Sequence, residues 1–195
     1  MGIITSALIG LFALSGMSDP GVLASATSVA KVEIVQEQVL TVGMTGYNAV
    51  PEQTDGDPHI TASGAYSNPA IVAARSQDLT DQLPFGTVIS ITPSATSTRN
   101  CGAELISEHI GLRVIADSMH YRKREQIDIL LPVEKTVHAG GKKVNPAVAL
   151  GVCAGVEVRV VGKVDVRNMP RTQAELIAQI GYLEKADSQR LAIFK

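Results

Sequence analysis

The stretch Val114–Leu130, VIADSMHYRKREQIDIL, places two carboxylates in two apolar runs that are separated by a polar, cationic segment. In QIDIL, Ile127 and Ile129 alternate with Asp128, so a strand would direct the isoleucines to one face and the carboxylate to the other. If the isoleucines fill the core, Asp128 faces a rim or cleft, where desolvation would raise its pKa and suit it to general acid catalysis. Asp117 ends the preceding run, and two neighbouring strands would bring the carboxylates together, so that each makes the other harder to ionise.

A purely structural interpretation of these residues stays open. An aspartate at a strand end commonly caps a turn or pairs with a cation, and Arg122, Lys123 and Arg124 supply cations here. A single histidine such as His120 is more typical of a hydrogen-bonded loop residue than of a catalytic base.

Length and charge limit the class of protein. The 195 residues suit one domain with a short appendage, and a chain of this length can bury a sizeable core. Its 17 Lys and Arg nearly balance its 19 Asp and Glu, which gives no bulk attraction to nucleic acid or to an anionic membrane. Trp is absent and Phe and Tyr are few, so a stacking platform for single-stranded nucleic acid is not expected. We therefore predict no nucleic-acid partner.

The sequence predicts neither a metal site nor a cofactor. Asp55, Asp57 and His59 in TDGDPH have metal-binding side chains, but DGDP is first of all a turn sequence. Cys101 and Cys153 lack the spacing of a zinc site, and two such ligands are too few for one. In an oxidising compartment the two cysteines would form one disulfide, and in a reducing one they would remain thiols.

The N-terminus resembles a secretory signal peptide over residues 1–26. Ile3–Leu14 is a short apolar run, and the small residues of Ala24–Ala26 predict cleavage after Ala26. The run is too short for a comfortable membrane span, so no stable span is expected after cleavage. Because no Lys or Arg precedes the run, a buried N-terminal segment is the alternative. With cleavage, the mature protein would be periplasmic or secreted.

Residues 27–168 predict a small, mostly β barrel, because short β-rich runs alternate with loops rich in Gly, Pro, Asp and Ser. The predicted strands include Thr87–Ile91, Gly111–Ala116 and Gln126–Leu131. The segment that begins with Thr45, TGYNAVPEQTDGDPHITASGAYSNP, is predicted as loop and turn, and HAGGKK as a turn-rich connector. The run VEVRVVGKVDV predicts a strand with a bulge at Gly162.

Residues 169–195 are predicted to form a C-terminal amphipathic helix. Met169-Pro170 breaks the chain, and Thr172 and Glu175 have the spacing of a capping box. Apolar residues follow at helical spacing, namely Leu176, Ile177, Ile180 and Leu183. We expect this helix to pack on the barrel, with self-association or partner binding through it as the alternative.

Three motifs, in this order, resemble the three-aspartate (3D) domain: TGYNAVPEQTDGDPHITASG, ARSQDLTDQLPFGTVISI and VIADSMHYRKREQIDIL. That domain also forms the catalytic part of the membrane-bound lytic transglycosylase A family, and it occurs in spore and resuscitation-factor-like cell-wall proteins. The resemblance covers roughly Thr41–Val164. Its more specific features are TASG, a Pro-Phe-Gly-Thr turn that opens a strand, and two aspartates eleven positions apart.

The resemblance implies a double-psi β-barrel that cleaves the β-1,4 bond between N-acetylmuramic acid and N-acetylglucosamine in peptidoglycan. It implies that Asp128 is the general acid and base, with Asp117 and Asp78 as supporting carboxylates. In lytic transglycosylases one carboxyl protonates the glycosidic oxygen and then accepts a proton from the muramoyl 6-hydroxyl, which attacks the anomeric carbon. The expected partners are peptidoglycan glycan strands.

Tyr47, Thr61 and Ser63 match the front motif of the family and would line the substrate groove, with turn scaffolding as the alternative. After the second aspartate many members have a Gly-rich segment with a Lys, whereas this chain has SMHYRKRE and is more similar to a bacterial subgroup with Asp-x-Met-His. His120 would therefore orient a carboxylate, contact the sugar or peptide, or replace the lysine. Arg122 would meet peptide-stem carboxylates or remain a solvated loop charge.

Two other functions stay open. A double-psi barrel could hold glycan strands or a wall-associated partner without cleaving them. A structural or phage-related wall protein would instead use the C-terminal helix for assembly. The three aspartates favour the enzyme, because a pure binding module has no need of a desolvated carboxyl cluster.

Overall fold

The computed structural model describes residues 38–54, 57–93 and 101–181. The predicted signal peptide, Asp55 and the last part of the predicted C-terminal helix lie outside these residues. The strands are β1 (Val39–Tyr47), β2 (Val72–Arg75), β3 (Thr87–Thr92), β4 (Arg113–Ser118), β5 (Gln126–Leu130), β6 (Val137–Ala139), β7 (Lys142–Val144) and β8 (Cys153–Lys163). Six of them form a closed barrel in the order β1-β5-β2-β4-β3-β8, and β6 and β7 form a separate hairpin. The predicted small, mostly β barrel is confirmed.

The strand pairing of the barrel is preserved when two halves of the chain are exchanged. One half consists of β1, β2 and β3, and the other of β4, β5 and β8. β1 runs parallel to β5 as β4 runs parallel to β2, and β1 runs antiparallel to β8 as β4 runs antiparallel to β3. The antiparallel pairs β2–β5 and β3–β8 join the halves. The topology therefore has an internal twofold relation, although no repeat is visible in the sequence.

Apolar side chains from all six barrel strands meet in one cluster, which is the interior of the barrel. Ile127 and Ile129 of β5 are fully buried there, together with Met44 of β1 and Ile115 of β4. Because successive side chains of a strand alternate between faces, Asp128 points to the outer face of the barrel. This is the orientation that the alternation in QIDIL predicts.

A second apolar cluster covers the outer face of β2, β4 and β5, and it includes residues of a helix at 173–181. Leu176 and Ile180 of this helix are buried, whereas Ile177 is largely exposed. Gly162 in β8 permits the close approach, because a Cβ at this position would lie 2.6 Å from Cδ1 of Ile180. The register of β8 against β3 also shifts just before Gly162, where the sequence predicts a bulge.

The start of this helix uses the predicted capping residues in a modified way. The Glu175 N–H donates to Thr172 Oγ1 at 3.2 Å, as in a capping box. Glu175 Oε2, however, accepts the N–H of Arg171 at 2.7 Å, one residue before the usual partner. The range predicted for the amphipathic helix, 169–195, includes residues 182–195, which lie outside the described part of the chain, so its full extent and its role in self-association stay predictions.

One loop prediction is wrong and a second is incomplete. Thr45–Tyr47, predicted as loop, complete β1 because β5 pairs with them in parallel register, a long-range contact that local composition does not report. The predicted connector HAGGKK belongs to the β6–β7 hairpin, which turns at Gly140 and Gly141, both with positive φ. Short helices α1 (Ser107–Ile110) and α2 (Pro146–Leu150) also pack against the barrel core.

A disulfide joins Cys101 to Cys153, the first residue of β8, across 52 positions of sequence. Of the two states that the sequence left open, the structure contains the oxidised one. Among the helices in the described part of the chain, none has both the length and the apolar character needed to cross a membrane.

Candidate active site

Four residues form a row across four strands on the outer face of the barrel. Asp128 of β5 is paired with Thr45 of β1 on one side and with Ala74 of β2 on the other. Asp117 of β4 is paired with Ala74 from the far side. Paired residues point to the same face, and neighbouring strands lie about 4.8 Å apart, so the Cα atoms of Asp117 and Asp128 are about 10 Å apart. Ala74, which has a small side chain, is the residue between them in the row.

A bulge in β4 turns Asp117 toward this face. Ala73 pairs with Ile115, whereas the next residue of β2, Ala74, pairs with Asp117, so Ala116 is an extra residue in β4. Ile115 lies in the barrel interior, and without the extra residue Asp117 would point to that same side. Bulges re-aim side chains in this way and are common beside active sites.

The half-buried carboxyl of Asp128 is held in a poorly solvated setting. Its Oδ1 is buried and has no hydrogen-bond partner in the described part of the chain. Burial raises the pKa of Asp128 to about 6, and the negative charge of Asp117 adds to the rise. A hydrogen bond from Thr45 and the positive charge of Lys123 act in the opposite direction. Gln126 Nε2 donates to Thr45 Oγ1 at 2.8 Å, which leaves the Thr45 hydroxyl hydrogen free to point at Asp128.

Asp117 is fixed by three donors. The Tyr47 hydroxyl donates to Oδ2 at 2.8 Å, and the N–H groups of Ala62 and Ser118 each donate to Oδ1 at 2.9 Å. Burial raises the pKa of Tyr47 far above its ordinary value, and the charge of Asp117 reinforces this effect. Tyr47 therefore stays a protonated donor, and it links the end of β1 to the end of β4.

The TASG turn lies directly beside Asp117. Thr61 is buried, and its Oγ1 donates to the Ala65 carbonyl at 3.1 Å and lies 3.1 Å from Ser63 Oγ. The Ser63 N–H donates to the Ala116 carbonyl at 3.1 Å, which ties the turn to the bulge. Gly64 has a φ of 83°, a conformation that favours glycine. The contacts of Thr61 are those of turn scaffolding, whereas Ser63 lies at the half-exposed rim.

The two other predicted substrate-binding residues lie on an exposed loop between β4 and β5. His120 Nδ1 accepts the N–H of Arg122 at 3.3 Å, and the His120 ring lies against Tyr121. The guanidinium of Arg122 lies over the Tyr121 ring, 5.5 Å from its centre. In the described residues, neither side chain has a hydrogen bond to Asp117 or Asp128. The loop cation that acts on Asp128 is Lys123.

Asp78 lies apart from the row, in a 3-10 turn after β2. Its Oδ2 accepts the N–H of Glu125 at 2.9 Å. Glu125 has a φ of 47°, which is strained for a residue with a side chain, and its carbonyl accepts the N–H of Gly43 at 2.8 Å. Partial burial raises the pKa of Asp78, but the hydrogen bonds from Glu125 and Ser76 outweigh this and hold the pKa below its ordinary value. Asp78 therefore anchors the start of β5 in its ionised form.

Arg113 is a buried residue of this region that sequence reasoning did not single out. It is 1% exposed, and its guanidinium donates to backbone carbonyls. The acceptors are Pro69, Val72, His109, Ile110 and Leu130. Burial lowers the pKa of Arg113 to about 10, and its charge also acts on Tyr47. The only sequence signal was a cation at the start of an apolar strand.

The segment considered for metal binding forms a turn where it is described. Asp57 Oδ1 accepts the N–H of His59 at 2.9 Å, as in an Asx turn. Across residues 38–54, 57–93 and 101–181, no group of three or more His, Cys, Asp or Glu side chains has an arrangement that could hold a metal ion.

No family model matches the chain, and no curated protein matches it.

The arrangement has the elements of acid–base chemistry. One carboxyl, that of Asp128, has a pKa that burial raises to about 6, and a second, oriented carboxylate lies on the same face. A loop cation and a polar turn border the row. Such a pair can donate a proton to a leaving group and stabilise positive charge that develops at a reacting carbon.

Proposed function

We propose that this protein is a peptidoglycan-cleaving enzyme of the lytic transglycosylase type, acting on the β-1,4 bond between N-acetylmuramic acid and N-acetylglucosamine. The observation that carries the proposal is Asp128, whose orphaned Oδ1 and raised pKa suit one carboxyl that first donates and then accepts a proton. The resemblance of the TASG and aspartate motifs to the three-aspartate domain supplies the substrate class.

In the proposed reaction, the protonated carboxyl of Asp128 transfers its proton to the glycosidic oxygen as the bond to the anomeric carbon breaks. The Asp128 carboxylate then accepts the proton of the muramoyl 6-hydroxyl, and the oxygen of that hydroxyl bonds to the anomeric carbon. The product is a 1,6-anhydro sugar, and Asp128 returns to its protonated state. Asp117, fixed by Tyr47, stabilises the positive charge at the anomeric carbon.

The barrel is proposed to be of the double-psi type. The support is its topology of six closed strands, with two parallel pairs related by exchange of the chain halves. In this arrangement each parallel pair contributes one carboxylate, Asp128 through β5 and Asp117 through β4.

A periplasmic or secreted location is part of the proposal. The disulfide between Cys101 and Cys153 supports it, because such bonds persist mainly in oxidising compartments. The signal-peptide pattern of residues 1–26 supports it independently.

The test is the release of soluble fragments from purified peptidoglycan by the parent protein and by Asp128→Asn, a nearly isosteric change. We expect release by the parent and none above background by the variant. Asp117→Asn should show a large but incomplete loss. If neither parent nor variant releases material while both co-sediment with the wall, the protein is a binding module instead.

A further inference from the structure

A pocket of about 640 Å³ lies beside the TASG turn, within the range of small-ligand sites. Its wall is formed partly by the end of that turn and partly by residues 166–171, which connect β8 to the following helix. The polar and aromatic lining residues are Tyr66, Asn68, Arg167, Asn168 and Arg171. Tyr66 is 67% exposed, so its ring is available to a ligand.

Four consecutive residues of the chain, 62–65, connect the row to the pocket. The Ala62 N–H donates to Asp117, and the Ser63 N–H donates to the bulge residue Ala116. The next residues, Gly64 and Ala65, already line the pocket. A ligand that occupies both places would therefore pass over the TASG turn.

Arg171 is the cation of the pocket that remains available. Arg167 is paired with Asp165, through contacts of 3.1 Å from Nε and 3.0 Å from a terminal nitrogen. The Arg171 main chain is held by Asn68 and Glu175, but its guanidinium has no hydrogen bond within the described residues. A guanidinium in a pocket that an aromatic ring also lines suits a carboxylate on a partly apolar ligand, because its planar fork matches a carboxylate in two hydrogen bonds.

We propose that this pocket binds the carboxylate-bearing peptide stem of the peptidoglycan strand whose glycosidic bond lies at Asp128. The proposal rests on the proposed function and names the part of the substrate that the pocket takes. Arg171 binds a stem carboxylate, and Tyr66 packs against the aliphatic part of the stem.

The experiment compares a soluble disaccharide–tetrapeptide with the same disaccharide lacking the peptide, by calorimetric titration. The protein is the full chain carrying Asp128→Asn, so that no cleavage disturbs the titration. Arg171→Gln and Tyr66→Ala are added singly, with Lys142→Gln on the exposed β6–β7 hairpin as the matched control. Arg171→Gln keeps the main-chain contacts to Asn68 and Glu175, so the fold should be retained.

We expect Arg171→Gln to weaken binding of the peptide-bearing ligand about tenfold and to leave binding of the peptide-free ligand unchanged. Tyr66→Ala should show the same selectivity, and Lys142→Gln should match the parent. Equal losses for both ligands, or no loss for either, would overturn the pocket assignment while leaving cleavage by the parent protein intact. If the parent neither cleaves peptidoglycan nor binds either ligand, the proposed function itself fails.

Discussion

Asp117 and Asp128 lie on one face of the barrel because both are paired with Ala74, one from each strand beside it. The small side chain of Ala74 lies between the two residues in the row and is itself buried. Asp128 is poorly solvated, whereas Asp117 accepts three hydrogen bonds. Two similar side chains thus stand in different surroundings, which is the usual basis for different roles in acid–base catalysis.

The rate of cleavage should fall as the pH rises through about 6, because the first step needs the protonated form of Asp128. The charge of Lys123 lowers the pKa of Asp128, so Lys123→Gln should move this decline to higher pH. The measurement is kcat/KM as a function of pH for parent and variant, with Lys142→Gln as a control for general charge. If kcat/KM declines at the same pH in Lys123→Gln as in the parent, the assignment of Asp128 as the titrating group is contradicted.

Asp128→Asn should be more stable than the parent protein at pH 7. A pKa raised from 3.8 to about 6 corresponds to about 3 kcal/mol of stability that is present below pH 4 and lost as the pH rises through 6. Asparagine does not ionise, so the variant should lack this loss. Denaturant unfolding at pH 4 and pH 7 measures it, with exposed Glu134→Gln as control. A variant less stable than the parent at pH 7 would show that the Asp128 carboxylate stabilises the fold.

Tyr47→Phe should lower both stability and activity without abolishing either. The change removes the hydroxyl that donates to Asp117 Oδ2, while the N–H groups of Ala62 and Ser118 still hold Oδ1. We expect a loss of about 1–2 kcal/mol in unfolding free energy and about tenfold in kcat/KM. Parallel unfolding and rate measurements test this. Unchanged kcat/KM in a folded variant would mean that the orientation of Asp117 does not matter.

We predict that Asp78 supports activity by holding the Glu125 backbone in place and not through its negative charge. Asp78→Asn keeps an oxygen that can accept the Glu125 N–H, so we expect activity within about threefold of the parent, whereas Asp78→Ala should lose more than tenfold. Adding Glu125→Gly to Asp78→Ala should restore part of the activity, because glycine relieves the positive φ at that residue. The readout is the rate of fragment release. Loss of activity in Asp78→Asn equal to that of Asp128→Asn would instead assign Asp78 a charged role in the chemistry.

The alternation of Ile127, Asp128 and Ile129 was sufficient to predict the outward direction of the carboxylate, because a buried strand tolerates only one register. The face of Asp117 was not predictable, since it depends on a single extra residue, Ala116, in the pairing of β4 with β2. A bulge of this kind is fixed by tertiary pairing rather than by local sequence.

The contact between Tyr47 and Asp117 joins residues 70 positions apart, and it exists because β1 extends to Tyr47 beside β5. Composition instead indicated a loop from Thr45 onward. Which of the three adjacent cations lowers the pKa of Asp128 also depends on the path of the loop. The hydrogen bond from the Glu125 N–H to Asp78 helps to set that path. These features follow from long-range hydrogen bonds that no local pattern reports.

The most direct test of the central claim is mass spectrometry of the soluble products from purified peptidoglycan, incubated with the parent protein and with Asp128→Asn. We predict fragments that end in 1,6-anhydro-muramic acid from the parent and none from the variant. The same anhydro fragments from Asp128→Asn at the parent's rate would contradict the assignment of Asp128 as the acid and base.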